Sequence, residues 1–143
     1  NTFLQSLFVS QYLLELFSNP SLSSVQLATY HNLGGRDVTG SIFRNKKGTI
    51  EIQSPYCSML MIGKIFSNDD IVIVEKERKG QLFIYKCYDK DRNEVMIYKL
   101  DWNLLEFSCI YNLANSNTQS IVYTSSNLFD KPRCKGVLDL EIY

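Results

Sequence analysis

Strand-like patterning is densest across residues 71–111. Ile71-Val72-Ile73-Val74 leads through a charged turn into Gln81-Leu82-Phe83-Ile84-Tyr85-Lys86-Cys87-Tyr88. A second turn, Asp89-Lys90-Asp91-Arg92-Asn93, precedes Glu94-Val95-Met96-Ile97-Tyr98-Lys99-Leu100. Asp101-Trp102-Asn103 then reverses the chain into residues 104–111. Short runs rich in β-branched and aromatic side chains, divided by turn residues at regular intervals, predict an antiparallel meander.

Before it, residues 2–18 read as a helix, with Thr2 as its cap and Asn19-Pro20 as its stop. Leu4, Leu7, Phe8 and Leu14 share a face, but Leu13, Leu16 and Phe17 spread the apolar surface widely. The run is short and broken by Gln5, Ser10, Gln11 and Glu15, so membrane insertion is not expected. Residues 25–30 alternate as a strand, and Gly34-Gly35-Arg36-Asp37 reads as a turn. Residues 38–43 and 49–53 flank Asn45-Lys46-Lys47-Gly48 as a hairpin. Pro55 breaks the chain, and residues 58–66 read as a strand with Gly63 as a bulge or a close approach. Later, residues 120–124 and 137–143 read as strands, with Ser125-Ser126-Asn127 as a turn and Lys131-Pro132-Arg133 as a break.

The sum is one N-terminal helix, at about residues 2–18, followed by strands over about 24–143 in a single domain. Sequential antiparallel strands close most simply into an up-and-down barrel, with a two-sheet sandwich as the alternative. A barrel of about eight strands has room for one small ligand.

Composition narrows the chemistry. Fifteen basic residues balance fifteen acidic ones, so nothing draws nucleic acid or anionic lipid to the chain as a whole. Arg44, Lys46 and Lys47 read as a solvated hairpin tip. The four cysteines are Cys57, Cys87, Cys109 and Cys134, and none forms a CxxC pair. No secretory signal is read and a reducing compartment is expected, although an even cysteine count leaves disulfides open. One histidine, His31, supports neither a histidine-rich metal site nor a hydrolase triad, and no phosphate-binding glycine motif is present. Asp69-Asp70, Asp89 with Asp91, and Glu75 with Glu77 fall at turns, where solvated carboxylates are the rule. No catalytic residue is assigned and no metal is expected. Binding is the function class that survives.

Several short motifs resemble the S-type phycobiliprotein lyases. They are Ile71-Val72-Ile73-Val74, Lys79-Gly80-Gln81-Leu82, and Tyr88 and Tyr98 ten residues apart with Asp101 following. Residues 105–111 are similar to that family's strand ending in Tyr, residues 119–128 to its Glu-Arg-Ile-Trp-Phe…Asn-Leu-Arg segment, and Leu140-Glu141-Ile142 to its Ser-Glu-Ile ending. Phe3-Leu4-Gln5-Ser6 and Ser10-Gln11 resemble its front. The chain departs from the family at Tyr12, Gln119, Val122 and Phe129, where the family has Arg, Glu, Trp and Arg, and it lacks the Trp before Ser-Gln.

The resemblance implies a lipocalin-like barrel with an N-terminal helix. Such a protein binds a linear tetrapyrrole, a bilin, as substrate rather than as a prosthetic group. It assists attachment of the bilin to a cysteine of a phycobiliprotein subunit, in a cyanobacterial cytoplasm or plastid stroma. Carried over, the ligand-binding set is Tyr88, Tyr98, Lys99, Gln119, Tyr123, Lys131, Arg133 and Glu141. Lys99, Lys131 and Arg133 would meet the propionates, and Glu141 or Glu106 the pyrrole nitrogens. Nucleic acid is not an expected partner, and the exposed helix surface leaves a homodimer open. The alternative function is a non-enzymatic module binding another apolar ligand or a protein.

Overall fold

A computed structural model describes residues 2–22, 34–35, 42–66, 70–71, 73–113, 117–131 and 133–136. Helix α1 (Phe3–Ser18) follows Thr2 and ends before Asn19, as the sequence predicts. The Thr2 N–H donates to Gln5 Oε1 at 3.2 Å, half of a capping box. The next two N–H groups, of Phe3 and Leu4, donate to the carbonyls of Asp130 and Leu128 at 2.7 and 2.9 Å. The loop near the far end of the chain thus satisfies donors that a helix start leaves open.

Strands β1 (Gly34–Gly35), β2 (Phe43–Lys46) and β3 (Thr49–Ile52) form a small sheet, with β1 parallel to β2 and β2 antiparallel to β3. Gly34-Gly35, expected as a turn, is therefore a short strand. A hairpin forms where one was expected, but β2 runs through Asn45 and Lys46, which were expected in the turn, and residues 38–41 lie outside the described residues. Lys47 and Gly48 alone turn it, with φ of 51° and 87°, the left-handed pair a two-residue loop requires.

Residues 58–66, expected as a strand, belong to helix α2 (Ser54–Phe66). Pro55 falls in the first turn, where its missing N–H costs nothing, so it opens a helix instead of breaking the chain. Cys57, Ser58, Met61, Ile62 and Ile65 are buried, at helical spacing. Gly63 is neither a bulge nor a close approach, since a Cβ added there meets nothing within 4 Å. Gly63→Ala is expected to stabilise the protein by about 0.4–1 kcal/mol, read as a higher urea midpoint at unchanged slope.

The meander is borne out. Strands β4 (Ile73–Lys79), β5 (Leu82–Tyr88), β6 (Glu94–Asp101), β7 (Glu106–Tyr111), β8 (Gln119–Thr124) and β9 (Arg133–Gly136) pair antiparallel in chain order. β9 begins at Arg133, where a break was expected. The strands expected at 25–30 and 137–143 lie outside the described residues. Among the described residues the sheet is open, its first strand not paired with its last, and α1 and α2 pack against it. Among the described residues the fold is thus mainly β, with two α-helices rather than one. No described helix is long and apolar enough to cross a membrane.

Alternation sorts the sheet into two faces. Phe83, Tyr85, Cys87, Met96, Tyr98, Leu100, Phe107, Cys109, Tyr111, Ile121 and Tyr123 form the core face. Phe3, Leu7 and Leu14 of α1 and Cys57, Met61, Ile62 and Ile65 of α2 complete that core. The other face carries Lys86, Ile97, Lys99, Ile110 and Val122, all half-buried.

Candidate functional site

The core face is unusual in its tyrosines. Tyr85, Tyr98 and Tyr123 are all fully buried. A phenol enters a core only where its hydroxyl is accommodated. The Tyr98 hydroxyl donates to the Met61 carbonyl at 2.6 Å, tying β6 to α2. Its ring stacks on Phe107 with centroids 6.1 Å apart. Burial pushes the Tyr98 hydroxyl well above its ordinary pKa, so it stays protonated and donating.

The Tyr85 hydroxyl donates to Glu15 Oε1 at 2.6 Å, and Lys76 Nζ lies 2.5 Å from the same oxygen. One helix carboxylate therefore holds α1 to both β4 and β5. Burial raises the Glu15 pKa, but the Lys76 and Tyr85 contacts outweigh it and the carboxyl ends below its ordinary 4.5. A depressed carboxylate contributes stability above pH 4.5 and loses it as pH falls through the folded value. Tyr85→Phe is expected to cost about 1.5–3 kcal/mol at neutral pH, and less in acid once Glu15 is protonated. Urea melts at the two pH values check this; a cost independent of pH would show that Glu15 does not feel the hydroxyl.

The thiols are shut away. Cys57, Cys87 and Cys109 are buried and not joined in disulfides. Burial pushes Cys87 up to about 12, with Cys109 and Glu94 adding to it. Burial also takes Cys109 to about 12, against the opposing pull of Tyr98 and Lys64. Cys87 and Cys109 sit on β5 and β7 with β6 between them, about 9–10 Å apart at the strand spacing, so no disulfide joins them. Protonated, buried thiols are poor nucleophiles.

The predicted ligand-binding residues divide by face. Tyr98, Gln119 and Tyr123 share the core face, Tyr98 and Tyr123 fully buried and Gln119 half-buried opposite Tyr111, with Ile121 between Gln119 and Tyr123 on β8. Lys64 Nζ of α2 sits 3.9 Å from the centroid of the Tyr111 ring, so a cation stands beside this end of the face. Lys99 adjoins Tyr98 and therefore faces the other way, between Ile84 and Ser108 on neighbouring strands. Tyr88 lies at a register shift at the end of β5, and the Arg92 guanidinium is 6.0 Å from its ring. Lys131 is exposed in the β8–β9 loop. Arg133 pairs with Thr124 through the backbone, and Glu141 lies outside the described residues, as does His31. Glu106 is half-buried on the face opposite the tyrosines.

Gln11, Glu15 and Lys64 were not singled out as site residues. Gln11 accepts a 2.8 Å bond from Trp102 Nε1, and Glu15 is the one charged residue of α1. That lone charge in an otherwise uncharged helix was the visible signal. Asp89 is a turn organiser: its Oδ1 accepts the N–H groups of Asp91 and Asn93, both at 2.9 Å. Among the described residues, no group of three or more His, Cys, Asp or Glu side chains is placed to hold a metal ion. The chain matches no family model, no curated protein and no solved structure.

Proposed function

We propose that this protein binds a bilin and assists its attachment to a cysteine of a phycobiliprotein subunit. The observation that supports the reading is that Tyr98 on β6 and Gln119 and Tyr123 on β8, from two separate segments of the resemblance, share one sheet face, with half-buried Gln119 the member open to a ligand. At the Gln119 end of that face, Met96 and Tyr111 supply apolar walls, Gln119 an amide and Lys64 a cation. Those are the groups that a flat apolar ring system with carboxylate arms requires.

The chemistry is addition of an acceptor thiol across a double bond of the tetrapyrrole side chain. The sulfur forms the new C–S bond, the thiol proton passes to the tetrapyrrole, and nothing leaves. Such a step needs the two partners held in line more than it needs a strong acid or base. Cys87 and Cys109, buried and held protonated, do not compete for the bilin, and in this reading the acceptor cysteine is the phycobiliprotein's. The closed lipocalin-like barrel belongs to the same reading. Amide exchange along β4 and β9 distinguishes paired edges from open ones. A plastid stroma or cyanobacterial cytoplasm is where the acceptor would be met.

The test is titration with phycocyanobilin or phycoerythrobilin. A red-shifted, stoichiometric absorbance change that Gln119→Ala weakens is expected. An unchanged spectrum overturns the reading.

A further inference from the structure

Four of the exposed large apolar side chains gather at one end of the molecule. Phe8 and Tyr12 are 64% and 57% exposed, one helical turn apart on α1, their rings stacked at 6.5 Å and 15°. Leu104, in the β6–β7 turn, is 72% exposed, and Phe129, in the β8–β9 loop, is 76% exposed. Backbone and side-chain bonds hold these elements side by side. The Leu4 N–H donates to the Leu128 carbonyl at 2.9 Å, Trp102 Nε1 donates to Gln11 at 2.8 Å, and the Ser125 N–H donates to the Leu105 carbonyl at 3.2 Å. Phe8 lies between the Leu4 and Gln11 contacts along the helix, so the elements that carry the four side chains adjoin one another.

We propose that this patch pairs with its own copy on a second chain about a twofold axis, with Phe8 of each copy against Tyr12 of the other. Three observations favour a second copy. The four side chains together expose on the order of 500 Å², so twofold pairing removes roughly 1,000 Å² from water, the least that a specific interface needs. None of the four is charged, so the centre of a twofold contact is apolar on both sides, with Asp130 and Lys131 beside Phe129 as a rim carrying both signs. The stacked Phe8–Tyr12 pair is already ordered, which lowers the entropy lost on association. The inference does not rest on the bilin reading, because Gln119 lies at the opposite end of β8 from the β8–β9 loop.

Sedimentation velocity over a concentration series tests it. The expected result is a monomer–dimer equilibrium in the micromolar range. Phe8→Asp and Phe129→Asp, both surface changes, are each expected to weaken it at least about tenfold with an unchanged thermal melt. A monomer at every soluble concentration overturns the proposal, and so does a dimer indifferent to both variants. A monomer that binds a phycobiliprotein subunit through Phe8 also overturns it, and assigns the patch to that partner.

Discussion

Tyr98→Ala is expected to cost about 3–5 kcal/mol, a large share of the roughly 5–15 kcal/mol that holds a domain of this size together. The side chain is fully buried at the centre of the sheet, with Tyr85 across one strand pair and Cys109 across the other. Removing the ring opens a cavity beside Phe107 and also deletes the hydroxyl that reaches the Met61 carbonyl. Tyr98→Phe separates the two contributions. It keeps the ring and loses the hydroxyl's bond to Met61 between β6 and α2 together with its contact with Cys109, for about 1 kcal/mol. The pair also decides what Tyr98 does. Its hydroxyl is engaged by Met61, so Tyr98→Phe is expected to leave phycocyanobilin binding unchanged while Gln119→Ala weakens it. Urea denaturation and bilin titration on the same preparations check both outcomes; weaker binding in Tyr98→Phe would return the hydroxyl to the ligand.

The meander was legible because its turns are written locally. Gly80 adopts φ of 62° between β4 and β5, and the Asp101 carboxylate accepts the Asn103 and Leu104 N–H groups between β6 and β7. Strand type and turn chemistry agreed there, and so did the reading. Helix α2 was not legible for the opposite reason. Met59-Leu60-Met61-Ile62 and Ile65-Phe66 are apolar enough for a buried strand, and Pro55 suggested a stop. What settles the matter is tertiary: α1 offers a seam of small residues, and a helix sets Ser54 and Ser58 one turn apart, close enough for both to bond to it. Of the site, only face membership was readable. Strand alternation already separates Tyr98 from Lys99, so a single cavity lined by both was excluded by the sequence itself. The Lys64–Tyr111 contact spans two elements, one of which was read as the wrong type.

That seam gives the second large effect. Ser6 Oγ donates to the Ser54 carbonyl at 2.8 Å, Ser54 Oγ to the Thr2 carbonyl at 2.9 Å, and Ser58 Oγ to the Ser6 carbonyl at 2.8 Å. Each rung requires the two backbones to approach closely, which side chains no larger than serine permit. Ser58→Leu drives a branched side chain into a position with no exposed surface, and it also deletes a rung. Overpacking of about 1–3 kcal/mol adds to the lost hydrogen bond, for a total of about 3 kcal/mol. Ser58→Ala loses the bond alone and is expected to cost about 1 kcal/mol. Ser10 is one turn further along α1, fully buried, and its hydroxyl has no hydrogen-bond partner among the described residues. Ser10→Ala therefore runs the other way and is expected to stabilise by about 1 kcal/mol, because it removes a desolvated group that gains nothing in return. Urea midpoints for the three variants check the order Ser10→Ala, wild type, Ser58→Ala, Ser58→Leu. A Ser58→Leu protein as stable as wild type would mean that the two helices do not meet along this seam.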